Sequence, residues 1–311
     1  MTITSLSPFD LQSDQFSLKV GARPLEGEPL LIVEPTSYLA EVGLKELILT
    51  EDHAYYYRGL PGSEPAQWDA LRLLLPTLAQ TYPAHFVYTA DGDQIRWHNR
   101  LTGQQLAFRL GDAANLPLAP LDWLGRQVQE DLLILAGDPD TGFPLIAGQL
   151  CFPNHWCLDE KLGLPLLAIH EPVPAYAAQI GRSTDLLMAR LKPERPVWRR
   201  NWSVVVSAQL NLASRYQAEM AARKTTITAE NVGERCYFRT ERQTLSRLEP
   251  SGAILFTIYT QAAPIASLAA DPGWAKRFLN LLHSTPEAMR TYKGITPYYP
   301  ALVAYLESQA R

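Results

Sequence analysis

Hydrophobic residues recur at helical spacing in two segments of the chain. Between residues 64 and 82 the pattern predicts a helix, with Ser63 as its cap and Pro65 in its first turn. A second repeat predicts an amphipathic helix over residues 121–136, with Gly137 at its end. The apolar residues that define the first repeat are Trp68, Leu71, Leu75 and Leu78, and those that define the second are Leu121, Leu124, Val128 and Leu135.

Shorter runs with alternating or β-branched residues predict strands. Residues 86–110 contain two strand-like runs, and residues 143–152 and 201–212 add one each. The clearest signal is a hairpin, because residues 236–248 and 253–260 are joined by the turn residues Pro250-Ser251-Gly252. The pattern indicates an α+β domain.

The two ends of the chain have different patterns. Residues 1–60 are polar and interrupted by proline, which predicts an extended arm whose tyrosines pack on the domain. Residues 213–233 are interpreted as a polar linker. The C-terminal part predicts three short helices, each with a cap followed by proline, at Asp271-Pro272, Thr285-Pro286 and Thr296-Pro297.

Composition and charge exclude several classes of protein. The 311 residues carry a net charge of −4 without a basic run, so nucleic acid is not an expected partner. No apolar run reaches the ~18 residues that a membrane span needs, and the first residues do not resemble a secretory signal. Three cysteines are too few for a disulfide framework or a four-cysteine metal site. We therefore expect a reducing, cytoplasmic setting and no membrane association.

Common catalytic and cofactor-binding motifs are missing. The sequence has no GxGxxG or GxxxxGK[ST] loop for a dinucleotide or a nucleotide phosphate. It also has no HExxH, CxxC or GxSxG motif. Most hydrolase, zinc-enzyme and dehydrogenase classes therefore have no support.

Candidate chemistry is concentrated in the stretch Cys151–Tyr176, CFPNHWCLDEKLGLPLLAIHEPVPAY. His170 ends an apolar run and precedes a proline-stiffened turn, a setting that suits a histidine facing a buried cofactor such as haem iron. The alternative is a core histidine with a satisfied hydrogen bond. His155 with Cys151 and Cys157 could bind a metal, although the spacing of six between the cysteines fits no usual zinc motif. A cysteine thiolate as axial ligand, from Cys157 or Cys236, is a further option.

A second set of charged residues lies on the predicted hairpin. Because side chains alternate along a strand, Arg239 and Glu241 should share one face and Arg242 should lie on the other. Arginine pairs with carboxylates, so one of these residues could hold a propionate, or could polarise a bound diatomic ligand. The alternative is an ion-paired, solvated strand face. The run Trp198–Trp202 adds large planar groups suited to a flat ligand with anionic edges.

Four blocks of the sequence resemble the haem-dependent oxidative N-demethylase α-subunit family. They are CFPNHWCLDEKLG, PLLAIHEPVPAY, ERPVWRRNWSV and RTERQTLSRLEPSGAILFTIYT, in that order. The resemblance extends from about residue 16 to 300. It implies a haem-binding PAS-like core with an antiparallel sheet at residues 86–262. An N-terminal arm and helical extension would occupy residues 1–85, and a C-terminal helical extension residues 263–311.

The resemblance also implies an activity. The family's characterised reaction is the NADPH-driven, O2-dependent oxidation of dimethylamine to methylamine and formaldehyde. Haem b would be bound by this chain, whereas FMN, a [2Fe–2S] centre and NADPH would be expected on partner subunits that act as the reductase. The partners implied are thus a small amine, O2 and a reductase or ferredoxin-type subunit. Homo-oligomer formation is left open.

Residue roles follow from the matched blocks. His170 in IHEPVP would be the proximal haem ligand, and Glu241 and Arg242 in TERQTL would form the polar pocket for O2 and substrate. Lys161, Arg200 and Trp202 would contact the haem edge or propionates, and Arg239 is the strand arginine considered for a propionate. A non-catalytic haem-PAS gas or redox sensor remains the alternative function, since fold alone does not determine activity.

Overall fold

The computed structural model describes residues 7–311, which fold into helices packed on antiparallel sheets. The strands are β1 (Arg23–Pro24), β2 (Tyr57–Gly59), β3 (Phe86–Asp91), β4 (Gln94–Asn99), β5 (Gln104–Arg109), β6 (Asp131–Leu135), β7 (Leu145–Gln149), β8 (Val197–Val205), β9 (Tyr237–Arg247) and β10 (Ile254–Pro264). The helices are α1 (Pro35–Glu51), α2 (His53–Tyr56), α3 (Glu64–Thr81), α4 (Pro120–Gly125), α5 (Leu166–Ile169), α6 (Arg182–Arg190), α7 (Gln217–Lys224), α8 (Val232–Arg235), α9 (Ile265–Ala269), α10 (Pro272–Ser284), α11 (Glu287–Tyr292) and α12 (Tyr299–Gln309).

A seven-stranded antiparallel sheet with the order β1-β8-β9-β10-β6-β7-β2 forms the centre of the fold. Its longest hairpin is β9–β10, in which Tyr237 pairs with Pro264 and Arg247 with Ile254. Strands β3, β4 and β5 form a separate three-stranded sheet. The α+β class, the antiparallel sheet and the hairpin predicted from the sequence are confirmed.

The two faces of the central sheet have different neighbours. The core face, which carries Trp198 and Arg242, packs against α3, α4 and the three-stranded sheet at one end and against α10 and α12 at the other. The site face, which carries Arg199 and Glu241, lies under the segment from Trp156 to Leu191. The stretch that concentrates candidate chemistry therefore covers one face of the sheet.

Several predicted elements are observed where the sequence placed them. Helix α3 matches the predicted helix at residues 64–82 within a residue. The side chain of Asp271 caps α10 by accepting a hydrogen bond from the amide of Gly273 at 2.8 Å. Among residues 7–311, no helix has the length and apolar character needed to cross a membrane.

The predicted helix over residues 121–136 is wrong. Only α4 is helical there, and the second half of the segment is the buried strand β6. Every residue of β6 is buried, because both of its faces are covered. A strand that is apolar on both faces has no period of two, so its leucines also fit a helical repeat.

Two segments predicted without regular structure contain helices. The expected N-terminal arm includes α1, which buries Val42, Ile48 and Leu49 but leaves Leu39 and Leu47 exposed. Since α1 has apolar residues on both sides, it shows no amphipathic contrast in the sequence. The expected linker at residues 213–233 contains α7 and the start of α8.

Candidate functional site

The register of β8 and β9 places four polar side chains together on the site face. Asn201 pairs with Glu241, and Arg199 pairs with Gln243. Because the pairing is continuous from Val197 to Val205, these side chains emerge on the same side of the sheet. They form a polar group on the face that the segment from Trp156 to Leu191 covers.

Glu241 is held in place by its neighbours. The amide of Gln243 donates to Oε2 at 2.9 Å, and the amide of Asn201 donates to the same oxygen at 3.3 Å. The other oxygen, Oε1, lies 3.9 Å from Nε of Arg239. Neutral amides thus orient the carboxylate on one side, while Oε1 has only a long ion pair.

His170 lies at the C-terminal end of α5, in the segment that covers the site face. Its Nδ1 lies 2.9 Å from the carbonyl oxygen of Leu166. A carbonyl can only accept, so Nδ1 carries the proton and Nε2 carries the lone pair. Within residues 7–311 Nε2 makes no hydrogen bond. Burial lowers the pKa of His170 to about 4, with Lys161 and Arg199 also lowering it, so the imidazole is neutral at pH 7.

Three cationic side chains lie near Glu241 and come from distant parts of the chain. Burial lowers the pKa of Lys161 and of Lys293 to about 8, and the Glu241 carboxylate opposes that shift in both. Burial also lowers the pKa of Arg199, again opposed by Glu241. Lys293 donates to the carbonyl oxygen of Trp202 at 2.6 Å, and the Lys161 ammonium lies 4.1 Å from the centroid of the Trp156 ring.

Unpaired buried polar atoms collect around the same carboxylate. The described part of the chain has eight buried side-chain nitrogen or oxygen atoms without a hydrogen bond. Four of them belong to residues on or beside the site face near Glu241. They are Nε of Arg199, Nε of Arg239, Oγ1 of Thr260 and Oδ1 of Asn154. Buried polar groups normally have partners, so this concentration points to a polar ligand or bound water.

The structure brings together three of the residues that the sequence singled out. His170, Lys161 and Glu241 all contribute to this group. Arg239 shares the site face but is fully buried, and its guanidinium donates to the carbonyl oxygens of Leu210 at 2.8 Å and Phe152 at 2.6 Å. Arg239 therefore ties down the loop that leads into the Cys151–Tyr176 stretch.

Three other predicted site residues lie on the core face, opposite the face that carries Glu241. Arg242 donates to the carbonyl oxygens of Pro29 and Leu30, so its guanidinium anchors the N-terminal segment. Arg200 donates to the carbonyl oxygen of Ser7 at 3.1 Å. Trp202 stacks on Phe238 with ring centroids 6.0 Å apart. Arg242 thus lies on the face opposite Glu241, as strand alternation predicts, and Arg200 and Trp202 share its face.

Sequence reasoning missed several members of the group. Arg199 was considered only as part of the Trp198–Trp202 run, and the strand register is what places it beside Glu241. Tyr292 ends α11 and Lys293 follows it, in a segment without any motif. Tyr176 stacks on His170 with ring centroids 4.4 Å apart and an angle of 7° between the rings. Only the proline-rich spacing between His170 and Tyr176 could have suggested that contact.

The alternative metal ligands are less well placed. Cys151, Cys157 and Cys236 are buried and free. Burial raises the pKa of the Cys151 thiol, and that of Cys236 to about 12, which keeps both as thiols. His155 lies near Lys224 and Arg239, and burial lowers its pKa to about 4. In the range 7–311, no group of three or more His, Cys, Asp or Glu side chains could hold a metal ion.

The chain matches a known protein family over most of its length. Residues 21–303 match the family described as haem-dependent oxidative N-demethylase, alpha subunit-like. The match covers most of the chain, and the protein belongs to this family. The description implies a haem-dependent function of the oxidative N-demethylase type and an oxidoreductase class.

Proposed function

We propose that this chain binds haem b through His170 and oxidatively demethylates a small alkylamine in the site beside Glu241. The observation that carries the proposal is the state of His170. Its Nδ1 is committed to the carbonyl oxygen of Leu166, whereas Nε2 has a lone pair and no partner. A histidine that ligates a metal usually donates its other ring nitrogen to a carbonyl or carboxylate in this way.

The surrounding residues fit a haem. Apolar contacts for a flat macrocycle are available from Trp156, Ile169 and Phe256, which pack partly buried on the site face. Lys161, Arg199 and Lys293 bring three cationic side chains near Glu241, which suits the anionic propionates of haem. A propionate would also give the unpaired Nε of Arg199 a partner.

Glu241 is the residue we assign to the amine. An alkylammonium needs an anionic or aromatic partner when it leaves water. Oε1 of Glu241 is available for it, since Oε2 accepts from both Asn201 and Gln243. The bound haem supplies the redox chemistry with O2. The chain's own part is to orient the amine and to exclude water.

The remaining parts of the proposal concern partners and domain organisation. The family is described as an alpha subunit, which supports a second kind of subunit. We place the reductase function there, with FMN, a [2Fe–2S] centre and NADPH, because this sequence has no dinucleotide loop and only three cysteines. We also propose that residues 86–262 form a PAS-like haem core, flanked by extensions at residues 1–85 and 263–311.

The visible absorption spectrum of the purified chain tests the proposal. Expressed with a haem precursor, the wild-type protein should show a Soret band that shifts with dithionite and again with CO. His170→Ala should fold, as judged by circular dichroism, but retain haem poorly. His155→Ala is the matched control, because it removes another partly buried neutral histidine from the same stretch, and it should keep the wild-type spectrum. An unchanged spectrum in His170→Ala, or no Soret band in folded wild-type protein supplied with haemin, would refute the assignment.

A further inference from the structure

Tyr176 makes the closest ring contact of His170. The two rings are nearly parallel, at 7°, with centroids 4.4 Å apart. Tyr176 itself is only 6% exposed. Gly181 also lies close to it, since a Cβ added at Gly181 would be 3.9 Å from Cε1 of the tyrosine ring and 3.6 Å from the side chain of Leu167. The tyrosine thus has near neighbours both in the histidine and at the start of the next helix.

The backbone between the two residues explains why they meet. The amide of Val173 donates to the carbonyl oxygen of His170 at 2.9 Å, and the amide of Tyr176 donates to that of Val173 at 3.1 Å. Two consecutive turns therefore return the chain over the histidine. Ala175 adopts a left-handed φ of 60°, which is unfavourable for a residue with a side chain. The chain maintains that conformation immediately before the tyrosine.

A π-helical turn follows directly at Ala177–Gly181, before α6 begins. Such turns are rare and occur often at functional sites. The hydroxyl of Tyr176 lies near Thr184, in the first turn of α6. Thr184 in turn donates to the carbonyl oxygen of Ile180 at 2.9 Å. The position of the tyrosine ring is therefore defined by both the loop before it and the helix after it.

The hydrogen bond of His170 does not by itself fix the orientation of its imidazole ring. The stacked ring of Tyr176 restricts the rotation that remains. A single bond from Nδ1 to Leu166 fixes the direction of that nitrogen, but the ring can still turn about the bond. A parallel neighbour at 4.4 Å blocks this rotation, because turning the imidazole would drive its edge into the tyrosine face. The direction of the Nε2 lone pair therefore depends on both contacts.

We propose that Tyr176 is a positioning residue that sets the orientation of the His170 imidazole toward the iron, by stacking on it. The proposal rests on the proposed function, because it takes His170 as the axial ligand. It goes beyond that function because it assigns a role to a residue that does not touch substrate. That role is to control the orientation of the histidine that binds the iron. The ring, and not the hydroxyl, is the part of Tyr176 that the geometry requires.

The test compares three variants in the haem-loaded full chain. Tyr176→Phe keeps the ring and Thr184→Val keeps the tyrosine but removes the hydroxyl near it, whereas Tyr176→Leu removes the stack. Two properties are measured, namely the electron paramagnetic resonance spectrum of the ferric protein and the rate at which haem transfers to a scavenging apomyoglobin. Tyr176→Leu should broaden or split the ferric signal and release haem about 2- to 10-fold faster, the factor that aromatic stacking commonly provides. Tyr176→Phe and Thr184→Val should match the wild-type protein.

The outcomes separate this proposal from the assignment of His170. If Tyr176→Leu matches the wild-type protein in signal and haem release while His170→Ala loses haem, the positioning role is refuted and the ligand assignment stands. If Tyr176→Phe changes as much as Tyr176→Leu, the hydroxyl is the important group and stacking is refuted. Should Tyr176→Leu fail to fold, Tyr176→Met fills a similar volume without a ring and gives the same comparison. A wild-type haem spectrum in His170→Ala would instead contradict the proposed function itself.

Discussion

Glu241 shows how a single carboxylate can remain available among several cations. Its Oε2 accepts from the neutral amides of Asn201 and Gln243, which orient the group without neutralising it. Nε of Arg239 lies 3.9 Å from Oε1 of Glu241. The Arg239 guanidinium donates its hydrogen bonds to backbone carbonyl oxygens instead. The carboxylate is therefore held in one orientation, and its other oxygen accepts no hydrogen bond within the described residues.

Replacing Glu241 by glutamine tests that role at the residue scale. The amide keeps the size of the side chain but removes the charge that would bind an alkylammonium. We expect amine binding, followed by titrating the haem spectrum with dimethylamine, to weaken about 10- to 100-fold, the range of a lost charge-assisted hydrogen bond. Haem content should stay at the wild-type level.

The matched control for this prediction is Glu171→Gln. Glu171 is an exposed carboxylate directly after His170 in the sequence, and neither proposal gives it a role. It should bind the amine like the wild-type protein. Equal amine affinity in Glu241→Gln and the wild-type protein would show that another group holds the substrate.

At the scale of elements, a close backbone contact is made at the turn of the β9–β10 hairpin. Gly137, just after β6, packs on the turn that joins β9 to β10. A Cβ added at Gly137 would lie 1.8 Å from the carbonyl oxygen of Gly252 and 2.6 Å from its carbonyl carbon. Arg247 also bridges the two loops, since it donates to the carbonyl oxygens of Gly137 at 3.2 Å and Gly252 at 2.7 Å. The absence of a side chain at Gly137 lets the two loops meet.

The contrast between two glycines provides a stability prediction. Gly137→Ala should lower the free energy of unfolding by about 1–3 kcal/mol, because backbone atoms must move apart to admit the methyl group. Gly43→Ala should raise it by about 1 kcal/mol, because Gly43 lies inside α1 with open space at its Cβ position. Urea denaturation of both variants measures the difference. A Gly137→Ala protein as stable as the wild type would show that the turn shifts at no cost.

At the scale of the whole molecule, the site is assembled from three separated parts of the chain. Lys161 and His170 come from the covering segment, Arg199 and Glu241 from the central sheet, and Lys293 from the residues after α11. Lys293 reaches the group because it donates to the carbonyl oxygen of Trp202. The C-terminal helices therefore contribute directly to the candidate site.

The buried lysines predict how haem retention depends on pH. Their pKa values of about 8 mean that the protein without haem loses these charges above pH 8. Haem propionates favour the charged ammonium groups, so haem transfer to apomyoglobin should become faster as the pH rises from 8 to 10. The free energy of unfolding of the haem-free chain should rise over the same pH interval because of these two lysines. The sign follows because the unfolded lysines, with pKa near ~10.4, bind more protons there than the folded ones.

The double variant Lys161→Met/Lys293→Met should release haem faster at pH 7 and show little further dependence between pH 8 and 10. Lys276→Met, which alters an exposed lysine on α10, should behave like the wild-type protein. If the double variant keeps the wild-type pH profile, these lysines do not neutralise the propionates.

The sequence by itself determined the features that depend on local order. Helix α3, the hairpin β9–β10 and the capped helix α10 follow from apolar spacing, turn residues and capping groups that lie close together in the chain. The same applies to the family, because the matching blocks are continuous runs of residues. His170 was recognisable as a candidate since its apolar run and its prolines are its immediate neighbours.

Only the tertiary structure decided which residues meet. The strand register places Arg199 beside Glu241, and a register cannot be inferred from one strand alone. Lys293 approaches Glu241 through helix packing across more than fifty residues of sequence. Strand β6 was mistaken for a helix because burial on both faces removes the period on which local prediction depends. Long-range packing is thus what turns scattered polar residues into one candidate site.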